Sequence, residues 1–202
     1  MRESVGAATR NPVHLSGTRG RVQVHLAASM VPAPVGLRPD PAPRLTSVET
    51  SVRGFLELTP QDAYAAWRLR QDVFVLEQTC LYHDLDGRDT EPGTRHVMLH
   101  DDAGTLIGYC RILDDADAAP PAWRIGRVVL ARSVRGRGLA DLVVRRALAD
   151  CAERDAGHRT RAVVLDAQAP LAGWYATFGF EVAGPQFVED GIPHVPMRLD
   201  RS

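Results

Sequence analysis

The sequence contains no lysine, and all 24 of its basic residues are arginine. This absence excludes every mechanism that needs a lysine nucleophile or a lysine Schiff base. The formal net charge is −1, so there is no overall basic field and no nucleic-acid partner is predicted. No apolar run approaches the roughly 20 residues of a membrane-spanning helix, so no membrane association is predicted either.

Cysteine is scarce as well. Cys80, Cys110 and Cys151 are far apart in the chain, odd in number and never spaced as a CxxC pair. This pattern argues against a disulfide framework or a zinc site and suits the reducing cytoplasm. The stretch HDLDGRD (residues 83–89) lacks the closing glutamate of a calcium loop, and its aspartates are typical of a turn around Gly87. We therefore predict a cytoplasmic location and no metal.

Residues 1–50 differ in composition from the remainder of the chain. Pro32, Pro34, Pro39, Pro41 and Pro43 fall close together there, and the hydrophobic residues follow no clear period. Such a segment cannot bury enough apolar surface to order itself. We predict a disordered N-terminal extension over residues 1–50, within which Met30 is an alternative start, and a folded domain over residues 51–202.

Hydrophobic periodicity divides the domain into strands and helices. GFLEL (residues 54–58) is a strand candidate, and TPQD (59–62) predicts a helix start with Thr59 as N-cap and Asp62 closing a capping box. Further elements are predicted as a hairpin over 96–113, a strand over 123–131, a helix over 138–156, a buried strand over 161–167, a short helix over 170–178 and two closing strands in GFEVAG and HVPMRL. The order predicts a mixed α/β sheet.

The stretch SVRGRGLAD (residues 133–141) stands between a predicted strand and a predicted helix. The first turn of a helix exposes unpaired N–H groups and a partial positive charge, and glycine lets the backbone approach an anion closely. Arg135 and Arg137 add charge that suits a pyrophosphate. The stretch has neither the Gly-Lys-Ser/Thr of a Walker loop nor the spacing of a dinucleotide fingerprint. It predicts a phosphate cradle, with a plain strand-to-helix turn as the alternative.

Three separated motifs carry a family resemblance. Arg135-x-x-Gly138-x-Ala140 resembles the acetyl-CoA pyrophosphate loop of the GCN5-related N-acetyltransferases (GNAT), and YATFGF (residues 175–180) resembles their Tyr-x-x-x-Gly-Phe signature. LRQDVFVLEQTCLYHDLDGRD, DAQAPLAGWYATFGF and EDGIPHVPM resemble the ElaA-like branch. The resemblance covers about residues 53–200. It implies a central mixed, mostly antiparallel sheet of six to seven strands, with two splayed parallel strands and about four flanking helices.

The resemblance also implies acetyl-CoA as cosubstrate. The splayed strands correspond to residues 125–131 and 161–167, between which the pantetheine arm would pair with Val128, Val129 and Leu130. The pyrophosphate would be held by the loop that contains Arg135, Gly136, Arg137, Gly138, Leu139 and Ala140. Gln168 falls where many relatives place an asparagine that contacts the cofactor arm. A backbone N–H of Val128 or Val129 would meet the charge that develops on the thioester oxygen.

The predicted chemistry rests on an acid and a base. Tyr175 is the predicted acid that protonates the departing thiolate, with simple packing beside Trp174 and Phe178 as the alternative. A base must deprotonate the amine, and Glu77, at the end of the first helix, is the predicted base. The other candidates are Asp84, Asp86, His96, Asp190 and His194. Asp84, His96, Asp190 and His194 are also predicted to bind the substrate, because acidic residues around the pocket suit a cationic amine.

The leading functional prediction is an acetyl-CoA-dependent N-acetyltransferase that transfers the acetyl group directly to a primary amine in a ternary complex. The acceptor is a small molecule or a peptide, and the protein is a monomer or a homodimer. Because LRQDVF also resembles the start of acyl-homoserine-lactone synthases, a relative of those enzymes is a second possibility. A non-catalytic acyl-CoA-binding regulatory module is the third.

Overall fold

An eight-stranded sheet runs through the part of the protein that the computed structural model describes, residues 45–80 and 82–201. The strands are β1 Val48–Gly54, β2 Arg95–Asp101, β3 Leu106–Asp115, β4 Ala122–Leu130, β5 Ala162–Gln168, β6 Glu181–Val182, β7 Phe187–Glu189 and β8 Ile192–Leu199. Their spatial order is β1-β2-β3-β4-β5-β8-β6, and β7 pairs with β8 outside this path. Strands β4 and β5 are parallel, and the other pairs are antiparallel.

Helices cover both faces of the sheet. Helix α1 (Pro60–Arg70) continues as a π-helical segment over Gln71–Glu77, α2 spans Leu139–Asp155, and α3 spans Ala172–Ala176. Neighbouring residues of β2 pack into different helix layers, because successive side chains of a strand point to opposite faces of the sheet. Met98 packs in the cluster that contains α1 residues, whereas Val97 and Leu99 pack in the cluster that contains α2 residues. The site described below lies where this sheet opens.

The predicted start of α1 is confirmed. The Thr59 hydroxyl accepts a hydrogen bond from the Asp62 backbone N–H at 3.1 Å, and the Asp62 carboxylate accepts one from the Thr59 backbone N–H at 3.1 Å. Pro60 occupies the first helical position, where its missing N–H costs no hydrogen bond. This reciprocal cap fixes the point at which α1 leaves the sheet.

The mixed α/β class and the splayed parallel pair are confirmed, and the sheet has one strand more than the six to seven predicted. The additional strand is β7, which turns into β8 through Asp190 and Gly191 at φ values of 50° and 79°. An Asp-Gly pair with positive φ at both positions is a strong signal for a tight hairpin. The signal was present in the sequence as EDGI.

The beginning of the domain differs from the prediction. The first strand is Val48–Gly54, whereas the predicted strand at residues 54–58 is mainly a 3₁₀ turn over Phe55–Glu57. The turn forms because the Glu57 carboxylate accepts a hydrogen bond from the Gly54 backbone N–H at 2.6 Å. The predicted boundary at residue 51 therefore falls inside β1, and residues 1–44 of the predicted extension lie outside the described residues.

Candidate active site

The site begins as a gap between the two parallel strands. Strands β4 and β5 pair over Ala122–Arg124 and Ala162–Val164, and beyond these residues their pairing ends. Strand β4 stays paired with β3 on its other edge as far as Leu130. The backbone groups on its β5-facing edge are therefore left for another partner from Ile125 onward, and buried backbone groups are nearly always paired.

A bulge in β4 opens this gap. Its register against β3 shifts between Gly126 and Val129, so that Arg127 and Val128 stand opposite a single residue of β3. Arg127 has a φ of 54°, which is uncommon for a non-glycine residue. A β-bulge bends its strand and increases the local twist. The bend turns the second half of β4 away from β5.

A cavity of about 700 Å³ occupies the gap. Predicted site residues from β4, the glycine loop, β5, α3 and the β7–β8 hairpin meet there: Val128, Val129, Leu130, Arg135, Gln168, Tyr175, Asp190 and His194. The predicted residues Glu77, Asp84 and His96 are not among its lining residues. The strand, the loop, α3 and the β7–β8 turn are thus brought together, while part of the predicted substrate set lies elsewhere.

The glycine loop adjoins the cavity at Arg135. Gly136 and Gly138 have φ values of 74° and 72°, a conformation that side chains other than glycine rarely adopt. Gly138 is the N-cap of α2, and its position supplies no side-chain cap to the first N–H groups of the helix. A Cβ added at either glycine would meet no described atom within 4 Å, so the loop is open. Open N–H groups at the start of a 17-residue helix, which include those of Leu139 and Ala140, fit a pyrophosphate.

Arg135 connects this loop to the end of the first helix. Its Nη2 lies 3.0 Å from Oε2 of Glu77, and Nη1 makes a second bond to Oε1 of the same carboxylate. Its Nε donates to the Leu130 carbonyl oxygen at 3.1 Å. The hydrogen bonds from Arg135 hold the pKa of Glu77 below its usual value. Glu77 is therefore an ion-paired carboxylate beside the loop.

Tyr175 is buried in the wall of the cavity and is 6% exposed. Its ring packs against Trp174 at 4.7 Å and Phe180 at 5.9 Å between centroids, so its position is fixed. Among the described residues none hydrogen-bonds its hydroxyl. Burial raises the pKa of Tyr175 well above that of a free phenol, so the hydroxyl keeps its proton at neutral pH.

Gln168 closes the cavity at the end of β5. Its side-chain amide donates to the Gln78 side-chain oxygen at 3.2 Å, which ties β5 to the segment that follows α1. Both glutamines line the cavity. The cavity wall also contains Tyr82, whose ring lies 5.1 Å from the Arg127 guanidinium carbon. Neither Gln78 nor Tyr82 was predicted, because a single polar or aromatic residue after a helix carries no sequence signal of its own.

Asp84 belongs to a buried ion-pair network behind the cavity. Its carboxylate accepts hydrogen bonds from Arg70 Nε at 2.8 Å and from Arg127 Nε at 2.7 Å. Asp86 belongs to the same network but lines the cavity itself, and it accepts two hydrogen bonds from Arg111, at 2.7 and 2.6 Å. Although burial opposes ionisation, the hydrogen bonds and charge of Arg111 hold the pKa of Asp86 well below its usual range. The acidic stretch of the sequence is thus largely neutralised by arginine.

His96 is enclosed in the same network and is 1% exposed. Its Nδ1 lies 2.8 Å from the Tyr109 hydroxyl, and its Nε2 lies 3.0 Å from the Asp89 carbonyl oxygen. Burial lowers the pKa of His96, so its ring is neutral at neutral pH. Both ring nitrogens have protein partners, and the structure gives the ring no contact with the cavity.

The unpaired charge of the cavity is negative at the β7–β8 turn. Glu189 and Asp190 line it there, and no residue within 45–80 or 82–201 forms an ion pair with either. The cavity arginines are compensated in contrast: Arg124 lies 3.1 Å from Asp166, and Arg111 and Arg127 are bonded to the network. The carboxylates at this turn therefore suit a cation, whereas the open N–H groups of the glycine loop suit an anion.

Two features are absent from the residues that the structure describes. No group of three or more His, Cys, Asp or Glu side chains among them is arranged to hold a metal ion. Within residues 45–80 and 82–201, no helix has the length and apolar character needed to cross a membrane. Cys80, Cys110 and Cys151 are buried free thiols.

A splayed parallel pair, a glycine loop at the start of a helix and a buried tyrosine in one cavity define the GNAT class of acyltransferases. The family model described as acetyltransferase (GNAT) domain matches residues 64–201. The chain belongs to this family and is an acyltransferase.

Its relatives place it in the ElaA-like branch. Protein ElaA of Escherichia coli is 36% identical over 143 residues, which is 70% of this chain and 89% of ElaA. Its crystal structure matches with a TM-score of 0.69 and 32% identity, over 76% of this chain and 100% of that one. A UPF0039 protein of Mycobacterium tuberculosis is 37% identical over 141 residues, 70% of this chain and 86% of its own.

Two other solved structures are similar to this chain. An acyl-CoA N-acyltransferase from Pseudomonas aeruginosa matches with a TM-score of 0.70 and 36% identity, over 76% of this chain and 100% of that one. The AHL synthase LasI matches with a TM-score of 0.60 and 18% identity, over 75% of this chain and 89% of that one. The second likeness extends to the fold alone.

Proposed function

We propose that this protein is an acetyl-CoA-dependent N-acetyltransferase that transfers the acetyl group directly to a primary amine within a ternary complex. The observation that carries the proposal is the polarity of the cavity between β4 and β5. The cavity adjoins an anion-binding loop at Arg135 and is lined by two unpaired carboxylates, Glu189 and Asp190, at the β7–β8 turn. A phosphorylated cosubstrate and a cationic amine fit these two ends.

The proposed cosubstrate site follows the edge of β4 into the loop. The unpaired backbone edge of Val128 and Val129 suits the amides of a pantetheine arm, while the Leu130 carbonyl is occupied by Arg135. Backbone N–H groups from Gly136 to Ala140 would hold the pyrophosphate, with charge supplied by Arg135 and Arg137. Gln168 would contact the arm from the opposite strand.

Tyr175 is the proposed acid. A phenol with a raised pKa keeps its proton ready for the departing thiolate, but it gives that proton up less readily. Confinement in the same cavity also raises the pKa of a thiol, because desolvation disfavours every anion. The two effects oppose each other, so burial need not prevent transfer between the two groups.

The acceptor site is proposed at the β7–β8 turn, where Asp190 and His194 line the cavity. Asp84 and His96 stay predictions as substrate residues. Their contacts would give them an indirect role, since Asp84 fixes the cavity-lining Arg127 and His96 fixes Tyr109. Glu77 stays a prediction as catalytic base, with its carboxylate engaged by Arg135.

The second candidate is a transferase that resembles acyl-homoserine-lactone synthases. The fold likeness to LasI supports this candidate. The open glycine loop argues against it, because such a loop supports a free CoA thioester as the acyl donor. A non-catalytic acyl-CoA-binding module is the third candidate, and the buried Tyr175 in the cavity wall is the feature that such a module would not require. We propose the cytoplasm as its location, because its three cysteines are free thiols.

A comparison of acyl donors and acceptors tests the proposal. Thiol release is measured with acetyl-, hexanoyl- and dodecanoyl-CoA against a panel of polyamines, amino sugars, amino acids and peptides. We expect turnover to be fastest with acetyl-CoA and a cationic primary amine. Preference for the long donors would favour the second candidate. Binding of acetyl-CoA without turnover on any amine would favour the third.

A further inference from the structure

Amine acetylation needs a group that removes a proton, because a protonated amine has no lone pair for attack. In most of the predicted bases, the atoms that would accept the proton are already hydrogen-bonded to other protein groups. Glu77, Asp84 and Asp86 each accept hydrogen bonds from arginine side chains. His96 has both ring nitrogens bonded within the protein core. Asp190 and His194 are left in the cavity.

His194 differs from the others in the way its ring is held. Its Nδ1 lies 2.9 Å from the Ile192 carbonyl oxygen, which can only accept a hydrogen bond. Nδ1 therefore carries the proton, and in the neutral ring Nε2 then has the free lone pair. Stacking on Phe187, with ring centroids 5.7 Å apart and 24° between planes, fixes the ring further.

The sheet places this ring at the cavity. His194 of β8 stands opposite Gln168 of β5, and directly paired residues of an antiparallel ladder lie on the same face. Both residues line the cavity, as does Tyr175, the proposed acid. The proton acceptor and the proton donor thus share one space.

Other ionisable groups share this space and have different tasks. Glu189 and Asp190 on the β7–β8 turn can attract the ammonium of the acceptor. Asp166 of β5 is paired with Arg124. Burial raises the pKa of the Cys80 thiol and that of the Tyr82 phenol, so both stay neutral. His83 is the other imidazole of the cavity, and no described residue hydrogen-bonds its ring.

We propose that His194 is the general base of the reaction, an assignment that rests on the proposed acetyltransferase function. His194 Nε2 takes one proton from the acceptor ammonium. The freed nitrogen bonds to the thioester carbon, the carbon–sulfur bond breaks, and Tyr175 donates its phenolic proton to the departing thiolate. The second proton lost by the nitrogen restores Tyr175, and His194 releases its proton to solvent.

Kinetics of two variants test the assignment. His194→Asn keeps an amide near the Nδ1 position, His194→Gln keeps one near Nε2, and neither titrates. Thiol release from acetyl-CoA is measured across pH with 1,4-diaminobutane and with hydroxylamine as acceptors. With the diamine we expect kcat/KM at neutral pH to fall about 10²- to 10³-fold and its acid limb to move up to the pH range in which the diamine itself loses a proton. With hydroxylamine, which is largely unprotonated at neutral pH, we expect a much smaller loss.

Matched variants separate His194 from its rivals. His158→Gln lies outside the cavity and is expected to leave turnover and its pH profile unchanged. His83→Gln and Glu77→Gln are expected to keep the acid limb. The assignment is overturned if the limb stays at its wild-type position in both His194 variants, or if it moves in His83→Gln or Glu77→Gln.

A spectroscopic measurement distinguishes this assignment from the function on which it rests. In the ¹⁵N spectrum of the full chain, the neutral form of the His194 ring should show a protonated Nδ1 and an unprotonated Nε2. The opposite tautomer would overturn the assignment even in an active enzyme. Absence of turnover with both probes, although acetyl-CoA binds, would overturn the proposed function instead.

Discussion

The proposed acid step depends on one group, the Tyr175 hydroxyl. Its ring is held by Trp174 and Phe180, and no described residue hydrogen-bonds the oxygen. We therefore expect Tyr175→Phe to keep the ring contacts and the thermal stability while kcat falls about 100-fold, as for loss of a general acid. The dissociation constant for acetyl-CoA should stay within twofold.

Tyr64→Phe is the matched control, because Tyr64 is 67% exposed and lies on α1 outside the cavity. It should change neither kcat nor affinity. An unchanged kcat and pH profile in Tyr175→Phe would show that Tyr175 only packs in the wall.

The glycine loop before α2 is the element that we expect to bind phosphate. Gly138→Ala forces an alanine to a φ of 72°, which costs about 1–2 kcal/mol of stability. Gly104 in the β2–β3 turn has a φ of 78° and equally open surroundings, so Gly104→Ala imposes the same strain elsewhere. Both variants should melt at similar temperatures without ligand. The melting temperature should rise less on addition of CoA in Gly138→Ala than in Gly104→Ala.

An equal rise in both alanine variants would mean that the loop conformation is not part of the CoA site. The bulge at Arg127 contributes to the same site, because it separates β4 from β5 and opens the cleft that the loop adjoins. The bulge within β4 and the loop that follows this strand thus define one site.

At the scale of the whole molecule, the buried ion-pair network predicts how stability depends on pH. The pKa of Asp86 is depressed in the folded state, so its contribution to stability is complete above the ordinary carboxyl value of about 3.9 and is lost as pH falls. The pKa of buried His96 is also depressed, so stability should begin to decline below the ordinary imidazole value of about 6.5.

Urea unfolding between pH 3 and pH 8 measures this dependence. Asp86→Asn should be less stable than the wild type at pH 7 and should lose less stability between about pH 5 and pH 3. Asp117→Asn removes one negative charge from an exposed position and is the control. A wild-type stability that is constant down to pH 3 would contradict the proposed role of the network.

The sequence predicts the parts of this fold whose signals are local. The Thr59–Asp62 capping box, α2 and the glycine loop could be predicted because each depends on a few neighbouring residues. The network of Arg70 and Asp84 was not predictable, because its pairs are 14 or more positions apart and arginine is the only strong cation in the chain. The same long-range pairing explains why Asp84, predicted from the sequence to bind the substrate, is not among the residues that line the cavity.

The parts of the candidate site that belong to a recognisable sequence motif could be predicted. Tyr175 and Gly138 belong to such motifs, and the structure places Tyr175 in the cavity. His194 was only one of several candidate bases, because its place opposite Gln168 in the cavity depends on the pairing of β8 with β5, which no local pattern in the sequence indicates. Strand pairing therefore determines which of the predicted polar residues lie in the cavity.

The central claim is that the cleft between β4 and β5 and the adjoining glycine loop bind acetyl-CoA. Calorimetric titration of acetyl-CoA into the wild type, Gly138→Glu and Gly104→Glu tests it directly. We expect one saturable site in the wild type and in Gly104→Glu, and at least tenfold weaker binding in Gly138→Glu, whose carboxylate would repel the pyrophosphate. No binding to the wild type, or equal affinity in both variants, would contradict the claim.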